Sequence, residues 1–292
     1  MTSPILVTGG TGTLGGHVVP LLRASGHDVR ILTRRARPAA NGVEYVTGDL
    51  LRGEGVEAAV DGAESVLHLA GGPKGDDEAT RALVRAASRA GVRHLLYISV
   101  VGADRVPLAW TRRKLESERA VAGSGIPWTT LRAAQFHDLA LTMVEKMAKL
   151  PVFPVPGGLR LQPVDSREVA ARLAELTLGA PSGLVPDLTG PHLYDLAALA
   201  RPYLRLRGRR RPMLPVRIPG KAGRAYRAGA NLAPAGAEAG KRTWEEFLGE
   251  RLGQESCRGG HRERLGWESC RGGRRERLGQ ESCRGGHRER LG

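Results

Sequence analysis

Short continuous runs of apolar residues recur through the first 132 positions of the chain. Each run is rich in Val, Ile and Leu, as in Ile5-Leu6-Val7 and Leu95-Leu96-Tyr97-Ile98. Runs of this length without polar alternation are typical of strands that are buried on both faces of a sheet. The sequence predicts six such strands, at residues 5–8, 29–32, 43–46, 65–69, 95–101 and 128–131.

Between these strands, apolar residues follow a helical spacing. Leu14, Val18, Leu21 and Leu22 share one helical face, and Gly26 is expected to end that helix. Further helices are predicted over residues 79–90 and 110–122. Strands that alternate with helices of this length predict an α/β fold with a parallel sheet and helices on both faces. Right-handed crossovers make such a sheet doubly wound.

After residue 132 the alternation weakens. Prolines stand at positions 151, 154, 156 and 163, and helices are predicted only over residues 165–178 and 244–252. We therefore expect residues 133–250 to form a smaller lobe that is integrated with the core.

Residues 251–292 consist of three near-identical copies of a 13-residue unit and the start of a fourth. Each unit has a single leucine, which is too little apolar surface to offset the entropy of ordering, so the tail is predicted to be disordered. The tail holds the three cysteines, Cys257, Cys270 and Cys283. Their spacing does not match the close cysteine pairs of zinc sites, and no metal site is expected.

The net charge of +15 is divided between this tail, at +5, and the first 250 residues, at +10. A basic run at residues 205–211 raises nucleic acid as a partner, but no aromatic residues interleave it, so a solvated loop is preferred. No apolar run of about 18 residues is present, and no membrane is expected as a partner. The first 250 residues lack cysteine and no leader segment is visible, so a cytoplasmic location is expected. Oligomeric state is left open.

The first candidate site is a glycine-rich turn between the first strand and the first helix. Gly9 fits the tight turn, Gly12 lets a phosphate approach the backbone, and Gly15 permits close packing of the helix on the sheet. The helix N-terminus then presents free N–H groups to phosphate oxygens. A strand, these glycines and a helix within one βαβ unit predict a dinucleotide site of the Rossmann type. The residues assigned to it are Gly9, Thr11, Gly12, Thr13, Leu14 and Gly15.

The end of the second strand indicates which dinucleotide binds. NAD sites usually have an Asp or Glu there, which binds the ribose 2′-hydroxyl. This chain instead has Arg34 and Arg35, with Arg37 close by. Two guanidinium groups favour a 2′-phosphate, although arginines that merely face solvent are the alternative interpretation. The sequence thus predicts NADP(H) as the cofactor, ahead of NAD(H).

Two later strands add residues at the same edge of the sheet. Asp49 and Leu50, after the third strand, are placed to reach the adenine, although such an Asp is also common as a helix cap. Ala70, Gly71 and Gly72, after the fourth, let the backbone pass close to the nicotinamide ribose. Ligands of open α/β sheets bind at the carboxyl ends of the strands, so we assign all five residues to the cofactor.

Several stretches of the chain resemble a known family. The stretch from Thr8 to Gly15 is similar to the fingerprint of atypical and extended short-chain dehydrogenases/reductases. Four more stretches resemble the NmrA-like, NAD(P)H-binding branch of that family, namely residues 98–104, 127–138, 162–170 and 241–248. The resemblance covers about residues 3–250. It implies a Rossmann core over 1–132, a substrate-side lobe over 133–250 and a tail over 251–292 that lies outside the family's usual extent.

The dehydrogenases of this family use a Tyr-x3-Lys pair with a Ser, and the resemblance implies Ser99 and Lys114 in the last two roles. The lysine bonds the nicotinamide ribose and the serine orients the substrate carbonyl. The tyrosine position holds Trp110, followed by Thr111, and an indole has no titratable proton in the useful range. A carbonyl reductase of the usual kind is therefore in doubt. Alternatively, Ser99 is a core hydroxyl and Lys114 an exposed helix lysine.

Three residues follow the sixth strand at the same edge. Gln135 and Phe136 are assigned to the cofactor, with Phe136 covering the nicotinamide. His137 is a candidate replacement for the missing acid, because histidine is the side chain most easily tuned to neutral pH. The alternative for His137 is an ordinary residue at the start of a helix.

The preferred hypothesis is an NADPH-dependent oxidoreductase that acts on a small quinone-like or carbonyl substrate. A quinone-like acceptor takes its proton from water and does not need the missing tyrosine. The second hypothesis is a non-catalytic NADP(H)-sensing regulator of the NmrA-like type. A nucleotide-sugar epimerase-like enzyme ranks third, since it also requires the tyrosine.

Overall fold

The computed structural model describes residues 3–72 and 74–253. The strands are β1 Ile5–Thr8, β2 Val29–Thr33, β3 Val43–Thr47, β4 Ser65–His68, β5 His94–Val100, β6 Trp128–Ala133, β7 Phe153–Pro156, β8 Arg160–Leu161, β9 Gly183–Leu184, β10 Leu188–Thr189, β11 Tyr194–Asp195, β12 Met213–Val216 and β13 Glu238–Ala239. The helices are α1 Thr13–Ala24, α2 Val56–Val60, α3 Asp76–Arg89, α4 Ala109–Ala122, α5 His137–Ala148, α6 Ser166–Leu178, α7 Leu196–Leu206 and α8 Gly220–Arg227. Residues 244–253 form a further helix.

The main sheet is parallel and doubly wound, as predicted. Its strands lie in the order β13-β10-β6-β5-β4-β1-β2-β3, and β9 pairs with β6. From β1 the chain first winds outward to β2 and β3, then returns to β4 on the other side of β1 and winds outward again. The order therefore reverses between β1 and β4, and loops that follow these two strands diverge there to leave a crevice for a ligand.

Strands β1, β2, β4 and β5 each contribute buried residues to two apolar layers. On one face, Val7 of β1 packs with Val18 of α1 and Leu173 of α6. On the other face, Leu6 of β1 packs with Leu83 of α3. Because successive side chains of a strand point to opposite faces, an uninterrupted apolar run serves both layers. This arrangement confirms the expectation of strands covered on both sides.

Several elements depart from the apolar pattern. Helix α3 begins at Asp76 and not at 79, because its first turn is acidic, and acidic groups at a helix N-terminus complement the macrodipole. Helix α7 buries one apolar face, from Leu196 to Leu204, although it contains Pro202. Helix α8 buries a single residue, Gly223, and gives no apolar stripe. Among the described residues, no helix is long and apolar enough to cross a membrane.

The residues up to Phe247 form one compact unit, and a second unit begins at Leu248. The domain boundaries drawn at 132 and 250 stay predictions. The repeats after residue 253, with their cysteines and the predicted disorder, lie outside the described residues.

Candidate functional site

The glycine turn lies at the crevice between β1 and β4. Gly9 has a positive φ of 72°, in the left-handed region that favours glycine. A Cβ atom on Gly9 would lie 2.7 Å from the backbone nitrogen of Ala70, which follows β4. The backbone N–H of Gly12 closes the turn by donating to the carbonyl of Gly9 at 3.0 Å. The two loops that border the crevice are thus in backbone contact.

The start of α1 is open for an anion. Gly12 occupies the cap position and offers no side-chain acceptor, and the first turn contains no acidic residue. The N–H groups of Thr13 and Leu14 are therefore left for a ligand's phosphate oxygens. The side chain of Leu14 is buried in the core, so only its backbone serves the site. A Cβ on Gly15 would lie 2.4 Å from the backbone of Gly10. The helix can approach the turn this closely because residue 15 has no side chain.

The predicted 2′-phosphate residues lie at the same edge. Arg34 and Arg35 follow the last residue of β2 and are exposed. Within the described part of the chain, neither guanidinium group forms an ion pair or a side-chain hydrogen bond. Two guanidinium groups without such partners, located beside the end of β2, fit an anionic group of the ligand.

Asp49 and Leu50 follow β3 in a tight turn. One carboxylate oxygen of Asp49 accepts a hydrogen bond from the N–H of Leu51 at 2.9 Å, and Asp49 pairs with Glu54 in an isolated bridge. Leu50 packs against the apolar layer formed by α2 and α3. The turn is therefore held by its own contacts, and the assignment of these two residues to the adenine stays a prediction.

The segment after β4 is joined to α4 through an aspartate. The N–H of Gly72 donates to Oδ1 of Asp76 at 3.2 Å, and Oδ2 of Asp76 pairs with Nζ of Lys114 at 2.8 Å. A Cβ on Gly71 would lie 3.0 Å from that Nζ. The ammonium group of Lys114 therefore lies directly beside the backbone of Gly71, where the nicotinamide ribose is predicted to pass.

Lys114 is a buried cation and not an exposed helix lysine, since 14% of its side chain is accessible. Its ammonium group lies 5.0 Å from the centre of the Tyr97 ring. Burial acts to lower the pKa of Lys114, but interactions with Tyr97 and Asp76 outweigh it and raise the pKa above the ordinary value. Lys114 is therefore charged at neutral pH.

Below this pair, a buried hydrogen-bond chain joins three elements. The Thr8 hydroxyl lies 2.6 Å from Nδ1 of His68, and Nε2 of His68 lies 3.0 Å from the Thr80 hydroxyl. Burial, and then the nearby Lys114 charge, lowers the pKa of His68 to about 3, so the ring is neutral. Neutral hydrogen-bonded groups are tolerated in such an interior. The chain fixes β1, β4 and α3 to one another beneath the crevice.

Ser99 and the tyrosine position are placed differently. Ser99 lies on the same face of β5 as Tyr97, over which Lys114 extends, and its buried hydroxyl has no hydrogen-bond partner among the described residues. Trp110 is partly exposed at the start of α4. The hydroxyl of Thr111 donates to the carbonyls of Val106 and Leu108 and is committed to that turn. In the described chain, the position four residues before Lys114 thus offers no proton donor to a substrate.

Gln135, Phe136 and His137 pass from β6 into α5. The side-chain oxygen of Gln135 is buried without a hydrogen-bond partner in the described chain, and Phe136 is half-buried. The His137 ring is fully buried, with its centre 5.1 Å from that of Phe247 and 5.8 Å from that of Trp244. Burial lowers the pKa of His137, and this effect outweighs the nearby carboxylates, which act to raise the pKa. A buried, neutral ring does not fit the proton donor predicted for His137.

The residues that remain fit a nicotinamide dinucleotide. The uncapped helix N-terminus suits the pyrophosphate, and the close passage of Gly71 beside Lys114 suits a ribose. The unpartnered oxygens of Ser99 and Gln135 are polar groups that a ligand would satisfy. Sequence reasoning missed Asp76, Tyr97 and His68. The acidic first turn of α3 is the signal for Asp76, whereas no local pattern brings Tyr97 or His68 to Lys114.

Comparisons with known proteins agree with this geometry. Residues 9–175 match a family described as NAD(P)H-binding. The chain is 35% identical over 195 residues to a (4-alkanoyl-5-oxo-2,5-dihydrofuran-3-yl)methyl phosphate reductase of Streptomyces griseus, covering 64% of this chain and 68% of that protein. It is 30% identical over 203 residues to an NAD(P)H azoreductase of Xenophilus azovorans, covering 67% and 71% of the two chains.

The fold has a close structural counterpart. The crystal structure of an NADPH-dependent quinone oxidoreductase from Escherichia coli, complexed with NADPH, superposes with a TM-score of 0.72 at 21% identity. The alignment covers 85% of this chain and 99% of that one. At this identity the likeness supports the fold, and the relatives at 30% and above support the family.

Proposed function

The chain belongs to the NAD(P)H-binding family, in the atypical short-chain dehydrogenase/reductase group, and from this membership we propose that it is an NADPH-dependent oxidoreductase. We further propose that its substrate is a small molecule with an electron-poor double bond, such as an enone, a quinone or an azo group. One observation carries the choice of substrate. Trp110 stands where the family's carbonyl reductases have their acid, and Thr111 is committed to its own turn.

The missing acid matters because of where the negative charge develops. Hydride addition to an isolated ketone gives an alkoxide, which needs a proton donor in the transition state. Addition to an enone or a quinone spreads the charge onto a carbonyl oxygen, whereas addition to an azo group leaves it on the second nitrogen. In each case the resulting anion takes its proton from water. The Streptomyces griseus relative is named for such a substrate, a dihydrofuran ring whose double bond is flanked by an oxo and an alkanoyl group.

Each part of the site has a role in this proposal. Bound NADPH supplies the hydride. The N–H groups of Thr13 and Leu14 hold the pyrophosphate, while Gly12 keeps the approach clear. Lys114, held by Asp76, donates a hydrogen bond to the nicotinamide ribose. Ser99 and Gln135 offer unpartnered polar atoms to the nicotinamide or the substrate.

Substrate preference tests the proposal. We expect the purified full chain to oxidise NADPH with 2-acylbutenolides, quinones or azo dyes, and kcat/KM to be about 100-fold or more lower for matched saturated ketones, the factor that a general acid typically contributes. The measurement is NADPH absorbance across the panel. Preferential turnover of ketones would contradict the proposed chemistry. Tight NADPH binding without turnover of any compound would replace it with an NADP(H)-sensing regulator.

We also propose that Arg34 and Arg35 select NADPH over NADH. Replacing both by alanine is expected to raise the Kd of NADPH by about 100-fold or more, because a hydrogen bond to a charged group contributes about 1.5–3 kcal/mol. The Kd of NADH should change by less than about threefold. Calorimetry with both cofactors measures this, with Arg85→Ala/Arg89→Ala on α3 as the matched control. An equal loss for both cofactors would refute the assignment.

A further inference from the structure

The net charge of the first 250 residues is carried by one segment. Residues 196–237 contain ten Lys and Arg residues and no Asp or Glu, whereas the other residues of the first 250 carry 24 of each sign. This segment includes α7, β12 and α8. A segment with charges of one sign creates a local positive field, and the rest of the first 250 residues is electrically balanced.

Five basic residues of this segment are exposed and not neutralised. Arg209 and Arg210 precede β12, and Arg217, Lys221 and Arg224 follow it along the start of α8. All five are exposed, and none forms an ion pair with a carboxylate within residues 3–72 and 74–253. The positive charge thus continues past the basic run at residues 205–211 and into α8.

The strand between these charges presents an apolar face. Leu214 and Val216 of β12 are 56% and 41% exposed and point to the same side. Their partners on the parallel strand β7 are Pro154 and Pro156. The opposite side of the pair is turned inward at its start, where Phe153 of β7 is fully buried.

The residues just before β7 extend the apolar side of the β7–β12 pair. Leu150 and Val152 are 47% and 37% exposed, and Lys149 beside them is exposed as well. Arg211 holds this stretch against the start of β12, because its Nε donates to the carbonyl of Ala148 at 3.3 Å. Exposed aliphatic side chains therefore lie beside the basic flanks of β12.

We propose that the basic strand surface, formed by Leu214, Val216, Arg217, Lys221 and Arg224, binds the surface of an anionic phospholipid bilayer. Anionic headgroups attract each nearby Lys or Arg, and aliphatic side chains partition into the boundary between headgroups and acyl chains. Contact of this kind requires no membrane-spanning helix.

The aliphatic character of the surface favours lipid over nucleic acid. Proteins that hold single strands stack bases on exposed aromatic rings. In residues 196–237, Tyr203 is buried and Tyr226 is half-buried, while the exposed apolar groups of β12 are leucine, valine and proline. The repeats after residue 253 are themselves basic, so they do not supply an anionic occupant.

Vesicle sedimentation of the full chain tests the charge requirement. We expect binding to vesicles of phosphatidylcholine with phosphatidylglycerol, no binding to phosphatidylcholine alone, and weakening as NaCl is raised. Arg217→Gln/Arg224→Gln should weaken binding by about 30-fold, since each basic residue near such a surface contributes about fivefold to the affinity. The matched control Arg52→Gln/Arg85→Gln should bind like the unmodified chain. The repeats are identical in all of these proteins.

A second variant tests the apolar requirement. Leu214→Ser/Val216→Ser should weaken vesicle binding about tenfold or more, while Leu139→Ser/Leu184→Ser, two equally exposed sites elsewhere, should not. Unchanged NADPH affinity shows that each variant is folded. No binding to the anionic vesicles, or binding that survives both surface variants, would overturn the proposal. Loss through the charge variant alone, together with tight binding of an RNA or DNA oligonucleotide, would assign the surface to nucleic acid instead.

Discussion

Alanine at position 15 is expected to abolish cofactor binding, whereas alanine at position 16 is expected to preserve it. The Cβ of Gly15→Ala would lie 2.4 Å from the backbone of Gly10, which cannot yield without moving the phosphate-binding turn. A Cβ on Gly16 meets nothing within 4 Å. The first change should lower the free energy of unfolding by about 2–3 kcal/mol through overpacking and raise the Kd of NADPH at least about 100-fold. The second removes a helical glycine and should stabilise by about 0.5–1 kcal/mol.

Thermal or urea unfolding and NADPH titration of the two variants measure this contrast. Both substitutions add the same atom to adjacent residues of α1, so differences in helix propensity cancel. Equal effects at both positions would show that the turn does not depend on the close approach of Gly15 to Gly10. A Gly15→Ala protein that retains NADPH affinity would also remove the turn from the cofactor site.

The second large effect is expected at Asp76. Asp76→Asn keeps the shape of the side chain but leaves the buried ammonium group of Lys114 without its counter-charge. Breaking a buried ion pair in this way costs about 3–5 kcal/mol, so the free energy of unfolding should fall by about 3 kcal/mol. The Kd of NADPH should rise about tenfold, because Lys114 loses its fixed position beside Gly71. Asp77→Asn is the control, since Asp77 pairs with Arg81 at the solvent-screened surface and should contribute under about 1 kcal/mol.

A double variant separates stability from cofactor binding. Asp76→Leu/Lys114→Met replaces the pair with apolar side chains, which often restores the stability that a single change removes. It should nevertheless bind NADPH as weakly as Asp76→Asn or more weakly, since the ribose contact is gone. Recovery of both properties would show that the pair is purely structural.

The effect of Asp76→Asn should persist across neutral and mildly alkaline pH. The pKa of Lys114 is raised in the folded protein, above an ordinary value of 10.5. A group of this kind contributes its full stability below the unfolded pKa and loses it only as the pH rises through the folded pKa. A stability difference that disappears between pH 6 and 9 would contradict the pairing.

The sequence predicts the core of this fold well because its signals are local. The strands from β1 to β6 are continuous apolar runs, and the turn at Gly9 to Gly15 has its glycines at fixed distances from a strand and a helix. Helix α3 begins three residues before its predicted start for an equally local reason, since apolar spacing does not detect its acidic first turn.

The site is predicted less completely, because its chemistry depends on contacts between distant parts of the chain. Asp76 and Lys114 are 38 positions apart and meet only because α3 and α4 pack side by side on one face of the sheet. For His137, by contrast, the sequence predicts a role in the site that the burial of the ring does not fit. Its position at the carboxyl edge of β6 suggested access to a substrate, but the ring turns inward against Phe247, and no sequence pattern reports that direction.

The hydroxyl of Thr8 links the strands that border the crevice, and this affects how a cofactor binds. It accepts a hydrogen bond from the N–H of Ala70 at 3.3 Å while lying 2.6 Å from His68, so the floor of the crevice is already set in the free protein. A ligand that arrives at such a floor loses its own freedom but does not have to order these two loops. The cofactor should therefore bind to a preformed site, and little of the free energy of binding should be lost to rearrangement of the protein.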